Sequence, residues 1–176
     1  MLPGARYIPS PNCDTRPEDS TVELLVIHNI SVPPGEFGGP GIIELFTNKL
    51  DRAVHPYYRE IIDLRVSSHF LIRRDGEIIQ FVSCKLRAWH AGDSNWRGRN
   101  RCNDFSLGVE LEGTDELQFE DAQYERLAEL TRALKATYPI AGIVGHSDIA
   151  PGRKTDPGPC FNWARYRSMI AAAALQ

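Results

Sequence analysis

No stretch of this chain approaches the run of about 18 apolar residues that a membrane-spanning helix needs, so no membrane partner is expected. The N-terminal MLPGARYIPSPN is broken by proline and lacks the apolar core of a secretory leader. Positive charge is not in excess: 20 Lys and Arg against 23 Asp and Glu give a formal charge of −3 and a pI near 6.0. That balance argues against nucleic-acid binding, which needs a basic surface. Cysteine is sparse, and Cys13, Cys84, Cys102 and Cys160 are widely separated with no C-x-x-C pair. They read as free thiols in a reducing cytoplasm, which sets the expected location. Internal repeats, linkers and low-complexity tracts are missing as well. With 176 residues, 42% of them hydrophobic and 24% charged, the expectation is one globular domain over 1–176. Such a domain buries roughly two-thirds of its unfolded surface.

Chemistry concentrates in GHSDIAPGRKTDPGP, residues 145–159, which holds His146, Lys154 and Asp156. Pro151, Pro157 and Pro159, with three glycines, predict a loop kept out of helix and sheet. Fixing φ at three points lowers the entropy of holding polar groups in one arrangement. A histidine and an aspartate ten positions apart can share a metal if the loop folds back, but catalytic zinc usually takes three protein ligands.

Along the chain, the proline-rich first twenty residues are expected to lie on the surface without regular structure. Val22–Ile27, VELLVI, reads as a buried strand ending at His28-Asn29, before the loop SVPPGEFGGPG. A histidine there is either a site residue or a strand-end imidazole bonded to backbone. Ile42–Thr47 is a short helix, followed by a long connection to Leu64. Arg65–Arg73 and EIIQFV are strands joined by an Asp75-Gly76 turn. The loop KLRAWHAGDSNWRGRNRCND, with two tryptophans and several arginines, suits an anionic, partly apolar ligand or is a solvated basic loop.

Phe105–Glu112, FSLGVELE, alternates, so Ser106, Gly108, Glu110 and Glu112 share one face. Gly108 leaves space over the backbone where something else approaches. Glu112, at the strand end, fits a solvated face better than Glu110 does. Asp121–Tyr138 is the clearest helix, Gly142–Val144 a strand feeding His146, and Asn162 caps a last helix with Trp163, Tyr166 and Ile170 inward. The sum is an α/β domain: a mixed sheet of about five strands flanked by helices, with the site at strand ends.

His28, His146 and Asp156 make a His₂-Asp set that suits zinc and leaves a position for water. Glu110 can act as the base, and Lys154, two residues before Asp156, as the cation beside a developing oxyanion. Spacing this wide does not by itself separate a metal site from unrelated polar residues.

The segments VIHNISVPPGEFGGP, RAWHAG, RCNDFSLGVELEGTD and GHSDIAPGRKTDPGP resemble those of the AmpD family of amidases, within the zinc amidase and peptidoglycan-recognition superfamily. The resemblance spans about Tyr7 to Arg167. It implies a zinc hydrolase that cuts the bond between the 1,6-anhydro-N-acetylmuramyl lactyl group and L-alanine in cytoplasmic muropeptides, for peptidoglycan recycling. It also implies Zn2+ on His28, His146 and Asp156, with Glu110 and Lys154 catalytic. Asn29, Arg65, Trp89 and Arg101 match substrate-contacting positions, since stem carboxylates suit arginine forks. His69 and His90 fall in family-like motifs and are expected to support the ligands from behind. Cys160 departs from the pattern, standing where a small hydroxyl residue is expected, and is a competitor to Asp156 as third ligand. The expected partner is an anhydromuropeptide bound by a monomer. The alternatives are a module that binds peptidoglycan fragments without cutting them, and a cysteine hydrolase using Cys102 or Cys160.

Overall fold

The structure, a computed structural model, describes residues 4–172. In chain order the first half contains β1 (Arg6–Tyr7), β2 (Cys13–Thr15), β3 (Leu24–Ile30), α1 (Gly41–Phe46), α2 (Tyr58–Ile61), β4 (Phe70–Ile72), β5 (Ile78–Gln80) and β6 (Leu86–Ala88). The second half contains β7 (Asn95–Trp96), β8 (Arg99–Asn100), β9 (Ser106–Glu112), α3 (Asp121–Thr137), β10 (Gly142–Gly145), α4 (His146–Ile149) and α5 (Trp163–Ala172).

Six strands form one mixed sheet in the order β1-β5-β4-β9-β3-β10, while β2–β6 and β7–β8 are separate two-stranded ribbons. The five strands legible in the sequence are β3, β4, β5, β9 and β10. The sixth is a correction: β1, like β2, comes from the proline-rich segment expected to lack regular structure. Its pairing extends past the strand itself, because the Ile8 and Ser10 N–H groups donate to the Gln80 and Phe81 carbonyls at 3.0 and 2.9 Å. An edge strand tolerates the neighbouring prolines.

β3 and β9 are the longest strands and lie side by side, parallel, at the sheet's centre. A parallel sheet is covered on both faces, which is why every residue of β9 is buried, including the polar ones. Leu107, Val109 and Leu111 turn toward α3 and α5, where they pack with Leu25, Ile27, Tyr124, Leu127, Leu130 and Tyr166. On the other face Leu24 and Val26 pack with Ala91, Cys102, Phe105 and Ile149, and Leu71 and Ile79 pack with Ile42, Phe46, Tyr58 and Ile61. Along α3 the buried face is Gln123, Tyr124, Leu127, Ala128, Leu130, Thr131 and Leu134. Gln123 fixes its start by accepting the Glu120 N–H at 3.0 Å and donating to the Ile72 and Glu112 carbonyls at 3.2 and 3.0 Å. At α5 the Asn162 cap is present: its Oδ1 accepts the Arg165 N–H at 2.9 Å.

Candidate metal centre

Strand register sets the geometry of the site. Glu110 in β9 stands opposite His28 in β3, and Gly145 in β10 stands opposite Ile27. One residue further, His146 is level with His28. Here the structure corrects the expected loop, because His146–Ile149 is one helical turn. Asp148 makes that turn by reaching back to accept the Gly145 N–H at 2.7 Å. The Ser147 N–H donates to the Asp156 carbonyl at 3.0 Å, which folds the loop back on its own start. Gly145 is required for this approach, since an added Cβ would lie 2.7 Å from Pro157 Cδ.

Three donor atoms then converge. His28 Nδ1 and His146 Nδ1 lie 2.9 and 3.1 Å from the same oxygen, Asp156 Oδ2, and 3.0 Å from each other. Hydrogen bonds cannot satisfy this triangle while both imidazoles are neutral, the form that binds a metal. When the ring is neutral, the far nitrogen of His146, Nε2, donates to the Ala91 carbonyl at 3.0 Å and its Nδ1 carries a lone pair. That lone pair faces the Asp156 oxygen whatever His28 does. A cation at the centre removes the conflict. Tetrahedral zinc with bonds of about 2.0–2.1 Å needs donors about 3.4 Å apart, a few tenths of an ångström wider than found here. The donor set therefore fits zinc in type, number and spacing, and it is the cluster of three such donors found among the described residues. Cys160 is not part of it, so the competing ligand is not brought to the site.

Protonation states agree with this. Burial pushes the His28 imidazole down to about 4, against the opposing hydrogen bond from Asp156. Burial on its own raises the Asp156 carboxyl, but the adjacent His146 and His28 side chains outweigh it and hold the group well below its ordinary value. Neutral imidazole and ionised carboxylate are the metal-binding forms.

Beside this cluster Glu110 is 7% exposed, and its Oε2 has no hydrogen-bond partner among the described residues. Burial, followed by the Asp156 charge, pushes its carboxyl well above the ordinary range, with Lys154 opposing. An unpartnered buried carboxylate oxygen is costly and marks a group poised to exchange a proton. Glu112 corrects the expectation of a solvated carboxylate. It is 2% exposed, its Oε1 accepts from Arg73 and from the Gly38 N–H at 3.1 and 2.8 Å, and it anchors the loop that follows β3.

A cavity of about 250 Å³ opens over the cluster. Its polar side includes His28, Asn29, His90, Glu110, His146 and Lys154, and its apolar side includes Phe46, Tyr57, Ile61, Leu64 and Trp89. Asp115 accepts from the Asn29 amide at 2.6 Å, and Asp14 from the Trp89 indole at 3.2 Å. Both side chains are thus fixed from outside the cavity. Arg65 and Arg101 are not on its wall. The Arg65 guanidinium folds back onto the Ile62 and Leu64 carbonyls just past α2, at 3.0 and 3.1 Å. Arg101, its side chain 70% exposed, pairs with Asp104. Sequence reasoning did not find Tyr57, Ile61 and Leu64 as cavity wall, nor the supporting roles of Asp14, of Asp115 and of Asn103, whose Oδ1 accepts the His90 and Ala91 N–H groups. Asn103 and Asp115 stand in the segment RCNDFSLGVELEGTD, but the residues they hold lie outside it, and the others stand in none of the family-like segments.

His69 lies away from the cavity. Its Nδ1 accepts the Gly108 N–H at 3.0 Å and its Nε2 donates to the Leu86 carbonyl at 3.1 Å, so both nitrogens are committed. Burial, then the Arg16 guanidinium, pushes it down to about 3. The folded value is below the unfolded value of about 6.5, so the stability this group contributes is full above that pH and declines below it. Metal-free protein should lose up to roughly 1.4 kcal/mol per pH unit from His69 below about pH 6.5. Urea midpoints of the parent and of His69→Asn at pH 7.5 and pH 5 isolate this contribution, and a parent that loses no more than the variant on going to pH 5 would contradict it.

A family model described as N-acetylmuramoyl-L-alanine amidase (Amidase_2) matches residues 18–159. The 1,6-anhydro-N-acetylmuramyl-L-alanine amidase AmpD of Escherichia coli (strain K12) is 60% identical over 172 residues, 97% of this chain and 94% of that one. A crystal structure of a selenomethionine derivative of AmpD superposes with a TM-score of 0.94 at 59% identity, covering 97% of this chain and 96% of that chain. The amidase AmiD of E. coli, in complex with the substrate anhydro-N-acetylmuramic acid-L-Ala-D-gamma-Glu-L-Lys, superposes with a TM-score of 0.67 at 31% identity, covering 88% of this chain and 60% of that chain.

Proposed function

This chain belongs to the N-acetylmuramoyl-L-alanine amidase family, and from that premise we propose that it cleaves the amide between the lactyl group of 1,6-anhydro-N-acetylmuramic acid and L-alanine in muropeptides. The observation that carries the reading is the convergence of His28, His146 and Asp156 on one point beside the unpartnered carboxylate oxygen of Glu110. Those three residues would hold zinc. When bound, zinc supplies Lewis acidity, polarising the scissile carbonyl and lowering the pKa of adjacent water toward 7.

The chain's own residues do the rest. Glu110 takes a proton from the attacking water while the water oxygen bonds to the carbonyl carbon. As the C–N bond breaks, Glu110 returns that proton to the departing L-alanine nitrogen. A carboxyl with a raised affinity for protons suits both halves of this exchange. Lys154 stands on the cavity wall and its ammonium offsets the negative charge that grows on the carbonyl oxygen. Asn29 offers its amide to the peptide. Tyr57, Leu64 and Trp89 give the sugar and lactyl groups an apolar surface and exclude water. Arg65 and Arg101, outside the cavity wall, would meet only the far carboxylates of a longer stem. A single domain working as a monomer in the cytoplasm, on fragments bound for recycling, completes the reading.

Incubation with anhydro-N-acetylmuramyl-L-Ala-D-γ-Glu-L-Lys, followed by mass spectrometry, tests it. The expected products are anhydro-N-acetylmuramic acid and the free tripeptide. Intact ligand recovered from a stable complex would indicate a binding module instead.

A further inference from the structure

Both imidazoles of the donor set are held from behind by one dipeptide, His90-Ala91. The Ala91 carbonyl accepts the His146 Nε2–H, and His90 Nδ1 lies 2.9 Å from His28 Nε2. On its other side His90 Nε2 lies 3.2 Å from Ser106 Oγ. We propose that His90 is a positioning residue of the metal centre: its Nδ1 accepts the His28 Nε2 proton and so keeps the His28 Nδ1 lone pair turned toward the metal. The proposal rests on the metal reading given above.

The neutral His28–His90–Ser106 chain can run in two directions. In one, His28 Nε2–H donates to His90 Nδ1 and His90 Nε2–H donates to Ser106 Oγ, leaving His28 Nδ1 bare. In the other, Ser106 donates to His90 Nε2 and His90 Nδ1–H donates to His28 Nε2, which puts the remaining proton on His28 Nδ1, between it and Asp156. Only the first direction lets His28 act as a ligand. Imidazole ligands usually donate their far N–H to a carboxylate, carbonyl or water, and here a second imidazole takes that place.

The seat for His90 is built into β9 at two-residue steps. Ser106 receives the far end of the ring. Gly108 leaves the space it occupies, because a Cβ there would lie 2.6 Å from His90 Cγ and 2.7 Å from His90 Nδ1. Glu110 follows on the same face. The backbone is clamped as well: Asn103 Oδ1 accepts the His90 and Ala91 N–H groups at 3.2 and 2.8 Å. One loop segment thereby orients two ligands that are 118 residues apart.

The test compares His90→Leu, which removes the acceptor, with His90→Asn, which has nearly the same shape and restores an acceptor close to the position of Nδ1. Zinc affinity is read by competition with a chromophoric chelator, and a cooperative melt checks the fold of each variant. His90→Leu should bind zinc roughly 10–100-fold more weakly than the parent, with His90→Asn recovering most of the loss. Equal affinity in His90→Leu and parent overturns the proposal, as does equal loss in two folded variants. Long-range ¹⁵N–¹H spectra of the parent keep the question open to test even if the variants fail to fold. Zinc-loaded protein should carry the His90 proton on Nε2, and a proton found on Nδ1 overturns the proposal. A parent that takes up no zinc overturns the metal reading first, which separates the two failures.

Discussion

Replacing Glu110 with glutamine should leave zinc uptake intact and cut turnover by about 10²–10⁴-fold, the range a positioned general base supplies. The substitution keeps the shape of the side chain and removes only the capacity to accept and return a proton. It should also stabilise the metal-free protein at neutral and alkaline pH. The folded Glu110 pKa is raised above its unfolded value, so the group favours folding below that value and the benefit is lost as pH rises through the folded value. Ionising Glu110 in the folded parent buries a charge with one oxygen unpartnered, whereas the glutamine variant has no such charge to bury. Its melting midpoint should exceed the parent's at pH 8, with the gap narrowing toward pH 4. Near-parental turnover would remove Glu110 from the base role, and a lower midpoint at pH 8 would refute the buried-charge account.

That pairing of lost activity with gained stability follows from where β9 lies, which its sequence half discloses. The alternation in FSLGVELE was legible and holds over β9, with Leu107, Val109 and Leu111 against the helices, but Phe105, expected on their face, precedes the strand and packs on the other face with Leu24 and Val26. The other face looked solvated in part because glutamates are cheap in water. It is buried because His90 and Ser68 pack over Gly108 and because Arg73 and the Gly38 N–H close on Glu112. Glu112 shows the limit most clearly: its burial depends on Arg73, 39 positions earlier, and on the Gly38 N–H. Strand-end histidines could be read because an apolar, β-branched run stops at a polar residue before Gly and Pro. Their convergence could not, since it is set by pairing Gly145 with Ile27 and Glu110 with His28. Strands of two or three residues, such as β1 and β2, carry no period to detect. His90 stood in a readable motif, but its seat on Ser106 and Gly108 exists only once β9 and the preceding loop meet.

Removing the metal should have the other large effect. Chelation should abolish hydrolysis and added zinc should restore it, whereas a cysteine nucleophile would keep working. Cys102 is ill suited to that role, being fully buried with its thiol pushed up by burial. The same titration should appear as stability, because a ligand that binds only the folded state stabilises it by about 4 kcal/mol at a thousand times its Kd. For a domain of this size, each kcal/mol shifts Tm by about 2–4 °C, so zinc should raise the midpoint by roughly 8–16 °C. Asp156→Asn should lose both responses, as an amide brings no charge to offset the cation between two imidazoles. Hydrolysis that survives chelation, or a midpoint that rises with zinc as far in Asp156→Asn as in the parent, would mean that the three converging atoms do not hold the reactive centre.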